Sequence, residues 1–174
     1  MIKLAILDVD GVLTDGRKYY DLLGMPFAKT YCDKDFTAIK RLKGAGVHVC
    51  FLSGDERVNR PMAKNRNIDF YAARGKDKAE FIELFESTYN CTRDEMLYIG
   101  DDLFDKSIME IVGHAYCPSD ACRDIKRLCG VPNTLYNKAG NNVICELFDI
   151  LHDRRLINDC TMADIENLDK KEVF

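Results

Sequence analysis

Long apolar runs and an excess of charge of one sign are both missing from this 174-residue sequence. Apolar stretches such as VHVCFLSG (47–54) and EMLYIG (95–100) are far shorter than the roughly 18 residues that indicate a membrane span. Lys3 leads directly into a strand-like run, without the layout of a signal peptide. The 25 basic and 29 acidic residues are well mixed and the formal net charge is only −4, so neither nucleic acid nor an anionic membrane is an expected partner. We expect a cytoplasmic protein that acts on a small molecule.

Cysteine pairs, repeats and linkers are missing as well. The eight cysteines are scattered without a CxxC pair or zinc-like spacing, and several lie in apolar runs, which indicates reduced and mostly buried thiols. The chain has no internal repeat and no low-complexity linker, and its 47% hydrophobic content fits one sizeable core. We predict one domain over residues 1–152 and a polar C-terminal tail, 153–174, that is loosely held or docks on a neighbour.

Short apolar runs ending in Gly or Asp alternate with segments of helical period, which is typical of a parallel sheet covered by helices. The predicted strands are KLAILDV (3–9), VHVCFLS (47–53), IDFYAA (68–73), EMLYIGD (95–101) and HAYCP (114–118). The predicted helices lie at 37–46, 57–66, 78–90, 105–113 and 142–157. Segment 17–32 has aromatic or branched runs on both sides of Leu-Gly-Met-Pro, which predicts a β-hairpin projecting from the end of the sheet.

Polar residues follow three of the predicted strands, in the pairs Asp8 and Asp10, Ser53 and Gly54, and Asp101 and Asp102. Because the carboxyl ends of parallel strands gather around one crevice, these side chains are expected to meet there. Converging carboxylates repel one another unless a cation compensates, and oxygen ligands suit Mg²⁺ better than zinc. Mg²⁺ held by carboxylates commonly takes a phosphate as a further ligand, which indicates phosphoryl chemistry.

The spacing of Asp8 and Asp10 suits that chemistry. One carboxylate can attack phosphorus to give an aspartyl phosphate. A second carboxylate two residues on could protonate the leaving oxygen and then activate water. A DxDG segment alone is also typical of a turn, so it is the set of residues at successive strand ends that favours the chemical interpretation.

Four short motifs carry a resemblance to a known superfamily. DVDGVLTDG (8–16) resembles motif I of the haloacid dehalogenase (HAD) superfamily of phosphotransferases, LSG (52–54) its motif II, and GDDLFD (100–105) its motif IV. Lys78, in RGKDKAEF (74–81), fits the motif III lysine. The resemblance covers about the first 150 residues and implies a three-layer αβα, Rossmann-like α/β fold with a central parallel sheet.

The resemblance also implies roles for the acidic residues. Asp8 would be the nucleophile and a Mg²⁺ ligand, and Asp10 the general acid and base, with its backbone carbonyl on the metal. Asp101 would be a metal ligand, and Asp102 a ligand or a residue behind the ligands. Asp105 resembles a later aspartate of motif IV, although Phe104 stands where a small polar residue is common.

Ser53, the backbone at Gly54, and Lys78 would bind the transferring phosphoryl group. The lysine would neutralise its charge and hold Asp8 ionised, while the hydroxyl and backbone N–H groups donate hydrogen bonds. Lys76 is an alternative to Lys78 for the lysine role, although it also fits a solvated surface lysine.

The chain has no room for a cap domain, because only the hairpin follows motif I and about 25 residues separate Ser53 from Lys78. The motif I spacing, the hairpin and Asp35 together resemble the 3-deoxy-D-manno-octulosonate 8-phosphate phosphatase family. That resemblance implies a homotetramer assembled through the hairpins, with a neighbouring subunit covering each site. Leu22, Leu23, Met25 and Phe27 would then lie at an interface, unless they pack on their own domain.

Two departures from the family leave the substrate open. Asp55 stands where octulosonate phosphatases commonly have Arg, and enzymes acting on nine-carbon sugar acids tend to be acidic there. Arg66 is a candidate partner of Asp55 or an ordinary surface residue. In KAGNNVICE (138–146), Cys145 replaces an arginine expected near the substrate carboxylate. The possible replacements, which the sequence does not rank, are Arg57, Arg60 and Lys138.

The sequence therefore predicts a Mg²⁺-dependent phosphatase of a sugar acid, either the octulosonate 8-phosphate or a nine-carbon ulosonate 9-phosphate. Two alternatives stay open. The substrate could be another small phosphometabolite or a nucleotide, since a shared phosphoryl core does not define the leaving group. The chain could also be a non-catalytic oligomerisation module like that appended to some acylneuraminate cytidylyltransferases.

Overall fold

A five-stranded parallel sheet lies at the centre of the computed structural model, which describes residues 1–172. The strands are β1 (Leu4–Leu7), β2 (Tyr19–Tyr20), β3 (Pro26–Ala28), β4 (His48–Ser53), β5 (Asp69–Ala72), β6 (Met96–Ile99) and β7 (His114–Tyr116). The order in the large sheet is β5-β4-β1-β6-β7, and all its neighbours run parallel. The strands predicted from the apolar runs are thereby confirmed.

Helices cover both faces of this sheet. They are α1 (Asp33–Gly44), α2 (Glu56–Asn65), α3 (Ile82–Tyr89), α4 (Lys106–Met109), α5 (Arg123–Cys129), α6 (Val143–Asp153) and α7 (Met162–Asp169). Side chains of the central strands alternate between two cores, as the twofold period of a strand requires. In β1, Ala5 and Leu7 join the core under α1 and α6, while Leu4 and Ile6 join the core under α3, α4 and α5. The predicted three-layer αβα fold is confirmed.

The segment between β1 and α1 forms the predicted hairpin. Strands β2 and β3 pair antiparallel, with Tyr19 opposite Ala28. The Asp21 carboxylate closes the turn by accepting hydrogen bonds from the backbone N–H groups of Leu23 and Met25, at 2.9 Å each. Within residues 1–172, no helix is both long enough and apolar enough to span a bilayer.

The expectation of a loosely held C-terminal tail is wrong for its described part. Helix α7 packs against α1 of the same chain. Lys40 forms ion pairs with Asp169 and with Glu172, the latter at 3.0 Å. The helix begins with a capping box in which Thr161 and Asp164 bond to each other's backbone N–H groups. None of its residues is buried, so the helix has no apolar face that the sequence pattern could reveal.

Candidate active site

The tip of β1 places the first aspartate at the centre of the carboxyl edge of the sheet. Asp8 directly follows the strand, and one of its oxygens accepts a 2.7 Å hydrogen bond from the N–H of Val9. The chain then makes an irregular turn in which Gly11 has a φ of +81°. A Cβ on Gly11 would lie 2.1 Å from a carboxylate oxygen of Asp101. Glycine at this position therefore lets the end of β6 approach the end of β1.

A buried lysine joins the two aspartates that lie deepest in the site. The Lys78 ammonium lies 2.9 Å from an oxygen of Asp8 and 2.6 Å from an oxygen of Asp105. It also donates to the hydroxyl of Tyr98 at 2.8 Å, and that hydroxyl donates to Asp105 at 2.6 Å. Burial alone would lower the pKa of Lys78, but the charges of Asp8 and Asp105 raise it, so the ammonium stays charged. Lys76, the alternative lysine, lies exposed at the rim of the cleft.

Asp105 belongs to the site, although its sequence position alone indicated no specific role for it. It is 1% exposed, and its second oxygen accepts hydrogen bonds from the backbone N–H groups of Asp101 and Asp102, at 2.9 and 3.0 Å. A Cβ on Gly100 would lie 2.5 Å from this carboxylate. Asp105 thus fixes both Lys78 and the loop that carries Asp101. Its position as the last aspartate of GDDLFD was the available signal.

Three carboxylates form a group suited to a divalent cation. Oxygens of Asp8, Asp101 and Asp105 all lie within 4.8 Å of one another. Burial, with repulsion from Asp105 and Asp102, raises the pKa of Asp101 to about 7. Burial and Asp105 raise the pKa of Asp8 well above its ordinary range, which Lys78 only partly offsets. Oxygen ligands whose charges repel one another fit Mg²⁺.

Asp102 is placed differently from its neighbour. Its exposed side chain accepts a 2.7 Å hydrogen bond from the N–H of Leu103 and caps the short turn Leu103–Asp105. It lines the cleft but is not among the three grouped carboxylates. Its role as a ligand or as a residue behind the ligands stays a prediction.

Asp10 faces a cluster of polar residues of which the sequence predicted only Asp55. The ammonium of Lys29, whose side chain is fully buried, lies 2.7 and 2.9 Å from its two oxygens. The same ammonium contacts Asp55 at 2.9 Å and the amide oxygen of Asn59 at 2.8 Å. Lys18 contacts Asp10 at 3.3 Å and Asp55 at 3.0 Å. The hairpin is therefore attached to the general acid and base expected from the motif.

Two of these polar residues also connect to the phosphoryl-binding segment. The Ser53 hydroxyl, at the end of β4, accepts a 3.0 Å hydrogen bond from the Asn59 amide. Asp55 caps the start of α2 by accepting from the N–H of Arg57. Burial raises the pKa of Asp55, but the ion pairs with Lys29 and Lys18 outweigh it and hold that pKa at about 2. Asp55 is therefore ionised, and the two lysines compensate its charge.

These residues surround a cleft of about 880 Å³ between the strand ends and the hairpin. Eight predicted site residues line it, namely Asp8, Asp10, Ser53, Gly54, Asp55, Lys78, Asp101 and Asp102, whereas Arg66 does not. The lining also includes Lys18, Met25, Pro26, Arg74 and Phe104. The suggested pairing of Arg66 with Asp55 is wrong. Arg66 lies just past the far end of α2, about 15 Å along a ten-residue helix, and pairs with Glu172 and Asp33.

The residues considered for binding a substrate carboxylate differ in their distance from the cleft and in their partners. Arg60 forms an ion pair with Glu56 at 2.7 Å and its guanidinium stacks over Phe70. Cys145 lies in the first turn of α6, where its thiol donates to the carbonyl of Lys34 at 3.0 Å. Arg57 lines a smaller chamber beside the cleft, and Lys138 lines neither space.

Comparisons with known proteins identify phosphatases among the relatives of this chain. No protein-family model matches the chain. The chain is 30% identical over 155 residues to the 3-deoxy-D-manno-octulosonate 8-phosphate phosphatase of Haemophilus influenzae, covering 86% of this chain and 82% of the relative. A Yersinia pestis protein of the same name is 30% identical over 121 residues, covering 69% of this chain and 64% of that protein.

Solved structures share the fold of this chain. The cobalt-bound form of the Haemophilus influenzae phosphatase superposes with a TM-score of 0.80 at 30% identity, covering 88% of this chain and 90% of that one. A phosphatase of the same name from Moraxella catarrhalis, in complex with magnesium, phosphate and the octulosonate, shares the fold with a TM-score of 0.78 at 24% identity, covering 87% of this chain and 86% of that chain.

Proposed function

The chain belongs to the 3-deoxy-D-manno-octulosonate 8-phosphate phosphatase family of the HAD superfamily and is a phosphatase, and from this membership we propose that it hydrolyses a phosphorylated sugar acid. The substrate is the octulosonate 8-phosphate or a nine-carbon ulosonate 9-phosphate. The observation that carries the proposal is the position of the buried Lys78 ammonium between the carboxylates of Asp8 and Asp105. The carboxylate of Asp101 lies next to the same site, packed against Gly11.

The cofactor of this reaction is Mg²⁺. The carboxylates of Asp8 and Asp101, with the backbone carbonyl of Asp10, would hold the ion, and Asp105 completes the acidic group. A bound Mg²⁺ would offset the mutual repulsion of these carboxylates and the negative charge of the substrate phosphoryl group.

We propose that the reaction proceeds through an aspartyl phosphate. A carboxylate oxygen of Asp8 attacks phosphorus, and the bond from phosphorus to the sugar oxygen breaks. Asp10 gives its proton to that oxygen and then takes a proton from the water that hydrolyses the intermediate. Lys78 stabilises the charge of the phosphoryl oxygens, and Ser53 with the backbone at Gly54 donates hydrogen bonds to them.

The assembly proposed with this function is a homotetramer in which hairpins of neighbouring subunits meet. Leu22 and Leu23 at the hairpin turn are 106% and 87% exposed. Two adjacent leucines that are both exposed to this degree favour an interface with another chain. The hairpin residues Tyr20, Gly24, Met25 and Pro26 line the cleft, so a neighbouring hairpin seated against them would exclude water from it. A cytoplasmic location is part of the same proposal and rests on the sequence features alone.

Phosphate release tests the function. The panel contains the octulosonate 8-phosphate, nine-carbon ulosonate 9-phosphates, ordinary sugar phosphates and nucleotides, each with Mg²⁺. We expect a strong preference for one ulosonate, and loss of about 10³-fold or more of the turnover in Asp8→Asn because the nucleophile is removed. The matched control is Asp124→Asn, an exposed aspartate of α5 outside the cleft, which should retain full turnover.

Each result has a definite meaning. Preference for a nucleotide or another phosphometabolite would contradict the sugar-acid substrate while keeping the phosphatase. Full turnover by Asp8→Asn would contradict the aspartyl phosphate. Release no faster than the Asp8→Asn blank on every substrate would favour the oligomerisation module instead.

A further inference from the structure

A smaller chamber opens beside the catalytic cleft. This outer chamber has a volume of about 350 Å³ and is lined by Met25, Pro26, Gly54, Asp55, Glu56, Arg57 and Arg74. It shares Met25, Pro26, Gly54, Asp55 and Arg74 with the lining of the cleft. The two spaces are therefore continuous, and a ligand with its phosphate at Asp8 could extend into the outer chamber.

The acidic residues of the outer chamber are already neutralised. Asp55 pairs with Lys18 and Lys29 at 3.0 and 2.9 Å. Glu56 pairs with Arg60, which donates to it from two guanidinium nitrogens at 2.7 and 3.0 Å. Neither carboxylate is available as a partner for the arginines of the chamber.

The arginines of the outer chamber, in contrast, have unused hydrogen-bonding capacity. Across residues 1–172, no side-chain hydrogen bond, ion pair or ring contact is made by the guanidinium of Arg57 or that of Arg74. Two guanidinium groups without side-chain partners, beside acids that already have theirs, would attract an anion into the chamber. The start of α2 at Arg57 adds the positive end of a ten-residue helix.

Each arginine is carried by an element that also carries the catalytic cleft. Arg74 follows β5 and lies four residues before Lys78, at the same carboxyl edge of the sheet. Arg57 lies in the first turn of α2, four residues after Ser53. Both positions are therefore fixed relative to the phosphoryl-binding residues.

We propose that Arg74 and Arg57 form the subsite for the carboxylate of the sugar acid, an inference that rests on the proposed function. The phosphate and the carboxylate of an ulosonate phosphate lie at opposite ends of the carbon chain. When the phosphate lies beside Asp8, the carboxylate therefore needs a cation at a distance from Asp8. Guanidinium binds carboxylate through two parallel hydrogen bonds, which gives orientation as well as affinity. The subsite supplies the cation that Cys145 does not.

The kinetic test uses Arg74→Gln, Arg57→Gln and the double variant. We expect KM for the ulosonate phosphate to rise about tenfold in each single variant and about a hundredfold in the double, with kcat within about twofold, because uniform binding is lost. With p-nitrophenyl phosphate, which has no carboxylate, KM should stay within about twofold of wild type. Lys64→Gln is the matched control on the same helix: Lys64 is exposed and lines neither space, so its kinetics should not change. Equal changes on both substrates, or none, would overturn the subsite.

A binding measurement separates the subsite from the reaction. Calorimetry with the free, unphosphorylated sugar acid reports the carboxylate end alone, and its affinity should fall about tenfold in Arg74→Gln. If wild type hydrolyses no ulosonate phosphate yet binds the free sugar acid in an Arg74-dependent way, the proposed reaction fails and the subsite stands. If wild type hydrolyses the ulosonate phosphate and the arginine variants match it, the subsite fails and the function stands. Absence of any binding of the free acid to wild type would also overturn the subsite.

Discussion

Lys29 joins the hairpin to the acid and base of the proposed reaction. Its side chain is fully buried, and its ammonium lies within 2.9 Å of oxygens of both Asp10 and Asp55. A buried lysine held between two carboxylates is costly to remove, because both acids then lose a partner. The contact to both oxygens of Asp10 also fixes the orientation of that carboxylate. Lys29 is therefore a positioning residue for Asp10.

We predict that Lys29→Met lowers kcat about 100-fold with both the ulosonate phosphate and p-nitrophenyl phosphate, while KM changes less. Hydrolysis of the aspartyl phosphate needs Asp10 as a base, so rapid-quench experiments should find more phosphoenzyme in the variant than in wild type. Lys29→Arg keeps the charge and should recover part of kcat. Lys18→Met is the comparison variant: the more exposed Lys18 contacts the same two carboxylates, with a longer distance to Asp10, so kcat should fall less than in Lys29→Met. A folded Lys29→Met protein with wild-type kcat would contradict the role.

The strand-end residues of the site could be predicted, and the residues behind them could not. Asp8, Ser53 and Asp101 follow apolar runs, and parallel pairing brings such ends together whatever the loops do. Tyr98 lies inside a buried strand, where an aromatic residue fits the apolar pattern equally well. Asn59 lies inside a polar helix, where nothing in the sequence marks it as a partner of Ser53. Contacts of this kind depend on side-chain packing between elements that are distant in sequence.

Among the elements, the hairpin presents apolar side chains to solvent. Tyr19, Tyr20, Leu22, Leu23, Met25 and Phe27 are all between 42% and 106% exposed. Burying such side chains against another copy stabilises an assembly by about 25 cal/mol for each Å² of apolar surface.

We predict that the wild-type protein at micromolar concentration has the mass of four 19.9 kDa chains in size-exclusion chromatography with light scattering. Leu22→Glu combined with Leu23→Glu should give a smaller species, because two charges would be buried without partners in each interface. Leu84→Glu, at an exposed leucine of α3, is the matched control and should remain tetrameric. A wild-type monomer would contradict assembly through the hairpin.

The predictability of elements follows their length and burial. The strands β1, β4 and β6 are entirely or almost entirely buried, so their apolar runs were unmistakable. Helix α3 is as short as α7, but it continues the turn Lys78–Phe81 and so gave a longer pattern. Helix α5 has seven residues, of which two are buried, and α7 has no buried residue, so neither presents a clear apolar face. Their positions are fixed by packing instead, in α7 by contact with α1.

At the scale of the whole molecule, the fold concentrates negative charge at one edge of the sheet. Burial and neighbouring acids raise the pKa of Asp101 to about 7. The folded, metal-free protein therefore holds a proton that the unfolded chain, with an ordinary aspartate pKa near 4, has already released. At Asp101 the folded state therefore binds more protons than the unfolded state in this window, so the contribution of Asp101 to the free energy of unfolding falls as pH rises from about 4 to about 7.

Mg²⁺ should reverse this loss of stability. The ion binds ionised carboxylates, so we predict that the melting temperature rises by about 5–10 °C at a Mg²⁺ concentration about 100 times its Kd at pH 8, from a stabilisation of about 2.7 kcal/mol. At pH 5 protons compete for the same oxygens, so the rise should be much smaller. Thermal unfolding with Mg²⁺ or with a chelator at each pH measures both effects.

Asp101→Asn identifies the carboxylate responsible. This variant removes the raised pKa, so its metal-free form should lose less stability between pH 5 and pH 8 than wild type does. It also removes a proposed ligand, so most of the Mg²⁺-dependent rise in melting temperature should disappear. Asp124→Asn, distant from the site, should behave as wild type. A Mg²⁺ effect of equal size at both pH values, or one unchanged in Asp101→Asn, would show that the ion does not bind at the ends of β1 and β6.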